Sequence, residues 1–206
     1  VKVYEKTIEI LRLEAAAIEN VAASIKREAV ENAVELLLRS AGKAVVTGVG
    51  KSGVIAQKIA QTMTSTGTPA IFVHPSDAMH GGLGILENGD VVLALSNSGE
   101  TEELLAMLPA IARRDVAMIA IVGNANSTLA RGADVILEVA IDKEACPLDL
   151  APTSSTTAAL ALGDAIAMTL MQAKGLTESD FAVNHPAGRL GRRLTVRVAD
   201  IMQENP

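Results

Sequence analysis

Aromatic residues are almost missing from this chain of 206 residues: two Phe, one Tyr and no Trp. That argues against a surface that stacks nucleic-acid bases on aromatic rings. Cysteine occurs once, at Cys146. No disulfide can close within the chain, which fits a reducing compartment. Basic residues are outnumbered, 18 Lys and Arg against 24 Asp and Glu, for a net charge of −6. That balance argues against a nonspecific binder of phosphate backbones. It leaves room for a small anion held by local donors. A signal peptide's short apolar run and cleavage site are also missing at the charged N-terminus, so a cytoplasmic location is expected. The most apolar stretch, residues 153–174, has too short an uninterrupted run to span a bilayer.

What the chain does have is small aliphatic side chains. Hydrophobic residues make up 49%, and with so few aromatics the core must be Ala, Val, Ile and Leu. Such side chains suit close helix–sheet packing. The length fits one α/β domain. Residues 3–40 read as helix, one or two segments, because Ile8, Leu11, Ala15, Ile18, Ala22, Ile25 and Ala29 recur at steps of three and four. The expected organisation is a helical segment over 1–40 that packs on the domain and on other subunits, and a core domain over 41–195.

From residue 44 the pattern changes. Short apolar runs without in/out alternation appear at 44–47, 70–73, 91–95, 117–122 and 135–139. Strands buried on both faces of a parallel sheet read this way. Helical segments at about 52–66, 101–114 and 126–131 lie between them. A doubly wound α/β sheet follows, with right-handed crossovers and a ligand site at the carboxyl ends of the strands. A long apolar helix over 153–174 and a short helix before a Gly-rich loop, "NHPAGRLGRR", complete the pattern.

Two loops invite a phosphate. "VVTGVGKSG", Val45 to Gly53, contains both G-x-G-x-x-G and Gly-Lys-Ser. An ATP-binding P-loop would need glycine at Val45, four intervening residues before Gly50, and Val45 lies inside a strand. A dinucleotide site would need an acidic residue at the end of the second strand. That strand ends at Val73 and His74 follows, so the confirming residue is missing; Asp77 lies further out, in an expected loop. The other phosphate loop is "VVLALSNSGETEEL", 91–104, where a strand runs into Ser96, Asn97, Ser98, Gly99 and Thr101 just before a helix. Backbone amides at a helix start favour an anion. Hydroxyls at Ser96, Ser98 and Thr101, with Ser52 on the neighbouring loop, exceed what one helix cap requires. Gly50 and Asn97 add backbone and amide contacts, so a compact monophosphate is the expected ligand.

At these residues the chain resembles the sugar isomerase (SIS) family, and within it the SIS domains of bacterial arabinose-5-phosphate isomerases. The matching segments are "GVGKSG" (48–53), "HPSDAMHGGLG" (74–84), "SNSGETEE" (96–103), "KEACPLDLAPTSSTT" (143–157) and "NHPAGRLGRRL" (184–194). The resemblance implies a five-stranded parallel sheet of order 2-1-3-4-5 with helices on both faces. It implies interconversion of D-ribulose 5-phosphate and D-arabinose 5-phosphate through an enediol, feeding the synthesis of Kdo and lipopolysaccharide. It further implies a homotetramer with sites at subunit interfaces and no cofactor, nucleic acid or membrane as partner. The family's catalytic positions match Lys51, Glu103, Glu144 and His185. Its substrate contacts match Gly67, Thr68, His74, His80, residues after Glu103, and Ala140–Asp142. An inhibitory zinc is implied at His74. Full-length members carry two CBS repeats after the SIS domain. Here 196–206 is expected to be the cut-off start of that region, in a truncated chain or a short homologue.

Aldose–ketose isomerisation needs a base, an acid and positive charge near a developing oxyanion. Lys51 could steady the enediolate or the phosphate; at a helix start it opposes the macrodipole, which favours function. His185 suits a proton shuttle, since imidazole titrates near neutral pH. His74 and His80 read as sugar-hydroxyl contacts, with His80 a possible second acid/base. Two other readings stay open: an isomerase for another phosphosugar, and a non-catalytic sugar-phosphate sensor.

Overall fold

The computed structural model describes residues 2–186 and Met202. Its centre is a parallel sheet of five strands: β1 (Ala44–Gly48), β2 (Ala70–Phe72), β3 (Val91–Ser96), β4 (Ala117–Val122) and β5 (Val135–Glu138). Their order is β2-β1-β3-β4-β5, as the resemblance implies. β1 and β3 are buried along their whole length, which is why their sequences show no polar alternation. The alternation is present in the packing instead. Val46, Leu93 and Ile119 point to one core, and Val45, Val92 and Met118 to the other.

Eight α-helices flank the sheet among the described residues: α1 (Val3–Ser24), α2 (Arg27–Arg39), α3 (Gly50–Ser65), α4 (Pro75–Met79), α5 (Glu102–Ala112), α6 (Thr128–Arg131), α7 (Ser154–Ala173) and α8 (Glu178–Asn184). The first core joins the sheet to α1, α2, α3 and α7. The second joins it to α4, α5 and α6. Gly163 lets α7 lie close on α3, for a Cβ there would collide with Ile59.

Two details differ from the sequence reading. The 3–40 helix breaks at Ile25 and Lys26, whose backbones are extended. Its apolar stripe divides: Leu11, Ala15, Ile18 and Ala22 of α1 are exposed and Ile25 and Ala29 pack on the core, while Ala17 and Val21 form the inner face of α1. Small residues win the inner face because α1 runs close along α7. The segment after β2, expected as a loop around Asp77, holds helix α4 and a 3-10 turn, Gly82–Ile85. Pro75 sits in the first turn of α4 and the His74 ring caps it. The expected region 196–206 and the tail of the Gly-rich loop lie outside the described residues, apart from Met202.

At the amino ends of the strands a polar lock closes the core. Asp90, with a fully buried side chain, accepts hydrogen bonds from Lys43 N and Lys43 Nζ, both at 2.8 Å, and from Glu87 N at 2.9 Å. Burial alone would raise the Asp90 carboxyl, but these hydrogen bonds and the Lys43 charge hold it below its ordinary value.

Candidate active site

β1 and β3 are neighbours whose following helices, α3 and α5, pack on opposite faces of the sheet. A crevice opens at their carboxyl ends where the connections part. Ser96, the last residue of β3, is buried there. Its Oγ lies 2.8 Å from Thr101 Oγ1 and accepts from Gly99 N at 3.0 Å. Ser98 Oγ accepts from Glu100 N at 3.2 Å. Gly99 has φ of +67°, and a Cβ on it would strike Ser127. Only glycine tolerates both demands. The outside of the loop is tied down as well. Gly123 N donates to Asn97 O at 2.9 Å, Leu129 N to Gly99 O at 3.0 Å, and Thr128 N to Glu100 Oε1 at 2.7 Å. Hydrogen bonds from Thr128, backbone first, hold the Glu100 carboxyl below its ordinary value. The loop is therefore preformed.

The β1 loop explains its misleading spelling. Gly53 sits so near the end of β1 that a Cβ would lie 2.7 Å from Gly48 O. The glycines at 48 and 53 serve the tight strand-to-helix turn, whatever phosphate the loop meets. Gly50 and Lys51 open α3 and are exposed; Ser52 is half-buried. Lys51 has no carboxylate within ion-pair distance among the described residues.

Ser52, Ser96 and Asn97 line one narrow cleft at the strand ends that opens to solvent. Its remaining polar wall is Ser155 and Thr156, the first turn of α7, with Gly123 beside them. Those three positions were not picked out as ligand contacts in the sequence. The hydroxyl-rich "TSSTT" was visible but reads equally well as an ordinary helix start. The floor is apolar, with Ile55, Leu95 and Ile121. Amides and hydroxyls from three chain segments over an apolar floor suit one compact anion.

The other sequence-predicted residues divide between the two ends of the sheet. Glu103 lies exposed in the first turn of α5, near the serine loop. Glu144 lies just past β5, and its half-buried carboxylate is bound to the start of α7. It accepts from Thr153 N at 2.7 Å, Thr153 Oγ1 at 3.0 Å and Ser155 N at 3.2 Å, and also from the Ser155 hydroxyl. Burial raises the Glu144 carboxyl, but these hydrogen bonds outweigh it and leave the group below its ordinary value. His74 follows β2, and its Nδ1 accepts from Ser76 N at 3.2 Å. The neutral ring then carries its proton on Nε2; a zinc ion at Nε2 would need that proton moved to Nδ1 and the bond from Ser76 N given up. Among the described residues, no three His, Cys, Asp or Glu side chains converge as around a metal. His80 is exposed at the end of α4. Asp142, past β5, lies 3.4 Å from Asn20 of α1.

Gly67, Thr68 and His185 lie elsewhere. Gly67 and Thr68 join α3 to the start of β2, and Lys174 Nζ donates to Thr68 Oγ1 at 2.8 Å and to Gly67 O at 3.3 Å. Asn184 Nδ2 donates to Ser65 O, the last residue of α3, at 3.3 Å. With 16 residues in α3, that end stands about 22 Å from the β1 loop. Within one chain His185 does not reach the serine loop. Its ring is fixed all the same: Nδ1 lies 2.8 Å from Phe181 O, and the ring stacks on Phe181 at 4.0 Å. A carbonyl only accepts, so Nδ1 carries a proton and the neutral ring has its lone pair on Nε2.

Parallel sheet, strand order and serine loop together define an α/β domain of the doubly wound kind with an anion-suited cleft at its strand ends. The SIS domain pattern matches residues 37–169, and the chain belongs to the SIS family. It is 52% identical over 190 residues to arabinose 5-phosphate isomerase KdsD of Pseudomonas aeruginosa, covering 92% of this chain and 58% of that protein. It is 49% identical over 200 residues to the protein of the same name in Francisella tularensis, covering 96% of this chain and 61% of that protein. The chain thus spans about three fifths of the length of these curated relatives. The solved structure of Escherichia coli CFT073 c3406 in complex with arabinose 5-phosphate superposes with a TM-score of 0.87 at 40% identity, covering 89% of this chain and 97% of that one.

Proposed function

We propose that this chain is an aldose–ketose isomerase that interconverts D-arabinose 5-phosphate and D-ribulose 5-phosphate, feeding Kdo and lipopolysaccharide synthesis in the cytoplasm. The observation that carries the reading is the preformed cleft of Ser52, Ser96, Asn97, Ser155 and Thr156 at the strand ends. The likeness to the KdsD isomerases supports the pentose.

The phosphate sits among these hydroxyls and the amides of the two loops, with Ser98 and Thr101 holding the loop's shape. Anchoring one end of an open-chain pentose fixes the other against the reacting groups. A base removes the proton at C2, the electron pair forms the C1–C2 double bond, and charge collects on O1. Return of that proton to C1, with the O2 proton passing to O1, gives the ketose. Lys51, exposed and free of an ion pair among the described residues, supplies positive charge to the oxyanion. Glu103 stands in the first turn of α5 as the carboxylate of the proton relay. His185 offers an oriented Nε2 lone pair for acid/base work.

Because His185, Gly67 and Thr68 stand at the far end of their own chain, they act in the site of a neighbouring copy. The outward stripe on α1 supports contact between copies in a homotetramer. His74 Nε2–H and His80 contact sugar hydroxyls, and His74 is the position an inhibitory zinc would take.

Incubating the protein with D-arabinose 5-phosphate and following the ketose by NMR tests this reading. The ketose should appear, and Lys51→Ala should remove it. Tight binding without turnover would mark a sugar-phosphate sensor instead. Turnover of a hexose or heptose phosphate alone would mark a sister isomerase.

A further inference from the structure

The first turn of α7 forms a wall of the cleft, yet nothing in that helix caps it. Thr153 precedes the helix with φ of −139° and ψ of −79°, and its side chain makes no capping bond to the turn that follows. The first amides of any helix need outside acceptors. Here one acceptor comes from another segment: the Glu144 carboxylate takes the amides of Thr153 and Ser155 and the hydroxyls of both. The arrangement is braced from behind. Asp149 Oδ1 accepts from Glu144 N at 2.7 Å, and Thr153 Oγ1 accepts from Ala145 N at 2.9 Å.

Both carboxylate oxygens of Glu144 are engaged by the start of α7: Oε2 takes both amides and the Thr153 hydroxyl, and Oε1 takes the Ser155 hydroxyl. A general base also works best with a pKa near the working pH, whereas hydrogen bonding holds Glu144 below its ordinary value despite its burial. Glu103, by contrast, stands exposed and unbonded among the described residues. We infer that Glu144 is a positioning residue of the isomerase: its carboxylate clamps the start of α7 so that Ser155 and Thr156 stand as a wall of the phosphate cleft, and it exchanges no proton with the sugar. The inference rests on the isomerase reading above for its kinetic consequences and on the geometry alone for the clamp.

The two roles predict different behaviour for Glu144→Gln. A glutamine amide keeps the clamp: its oxygen accepts from the two backbone amides, and its NH₂ donates to the Ser155 hydroxyl. It cannot act as a base. We expect Glu144→Gln to retain kcat within about tenfold, with the acidic limb of its pH profile unmoved. Glu144→Ala should raise KM for D-arabinose 5-phosphate by about tenfold or more and speed hydrogen exchange at the Thr153 and Ser155 amides. Loss of about 10²–10⁴ in kcat in Glu144→Gln, the range of a lost acid/base group, with slow exchange at both amides, would overturn the inference. Amide exchange is read independently of turnover. If wild type proved inactive on the pentose, the isomerase reading would fail, and the clamp would still be judged by exchange and by calorimetry with inorganic phosphate. Unchanged exchange and phosphate affinity in Glu144→Ala would overturn it there. Should Glu144→Ala not fold, Glu144→Gln decides alone.

Discussion

The two ends of the sheet treat polar groups in opposite ways. At the amino ends, Asp90 is sealed: every contact goes to Lys43 or Glu87, and its side chain is inaccessible. At the carboxyl ends, Ser52, Asn97, Ser155 and Thr156 line an open cleft; Ser96 is bonded to Thr101, Ser155 to Glu144 and Thr156 to Thr153 O, while the Ser52 and Asn97 side chains carry no hydrogen bond among the described residues. Both ends are orderly. One is complete in itself, and the other is a set of donors arranged for something outside the chain. The difference teaches that a preformed site is recognised by how its rigidity is supplied. Here it comes from behind, through Gly123, Thr128 and Leu129, leaving the front free.

The largest expected effect joins the two ends. His185→Ala and Lys51→Ala should each lower kcat by about 10²–10⁴. Mixed in equal amounts before assembly, they should regain activity. If His185 serves a neighbouring copy's site, about a quarter of random pairings hold both native residues. Failure of any mixture to recover would place His185 in its own chain's site and break the assignment.

Gly99→Ala comes next. The left-handed backbone and the collision with Ser127 together should displace the serine loop. KM for the phosphate ester should rise by about a hundredfold, in line with strain of about 3 kcal/mol. Steady-state kinetics on a folded variant, confirmed by circular dichroism, would check it. An unchanged KM would mean the loop does not grip phosphate.

Asp90→Ala should act on stability alone, costing about 3 kcal/mol in denaturant unfolding while KM stays within about twofold. The pH dependence has a definite sign. Because the folded-state carboxyl lies below its ordinary value, its contribution is present above about pH 4 and is lost as pH falls through the lower folded value. The difference in stability between wild type and variant should therefore shrink on acidification below pH ~4. A constant difference across that range would contradict the lock. The smallest effect belongs to Ser98→Ala, which removes one exposed loop bond to Glu100 N. KM should rise only about fivefold, equivalent to about 1 kcal/mol.

Much of this was legible in the sequence. The buried strands announced themselves as unbroken apolar runs, and Ser96, Ser98 and Thr101 after β3 pointed to an anion. Other parts were not legible, for physical reasons. Gly48 and Gly53 spelled a dinucleotide motif because a tight strand-to-helix turn and a phosphate loop both need missing side chains. The stripe from Ile8 to Ala29 suggested packing on the domain and on other subunits; Ile25 and Ala29 do pack on the core, but along α1 the close approach of α7 selected Ala17 and Val21. Ser155 and Thr156 looked like ordinary helix-start hydroxyls until the fold brought them opposite Ser52. The resemblance implied sites at subunit interfaces, but the distance between His185 and the serine loop within one chain was not legible, since it is set by the length of α3.

Diffraction from crystals soaked in D-arabinose 5-phosphate tests the central claim most directly. The account predicts phosphate density among Ser52, Ser96, Asn97 and the start of α7, with the sugar running towards Lys51 and Glu103. An empty cleft with the ester bound elsewhere would contradict it.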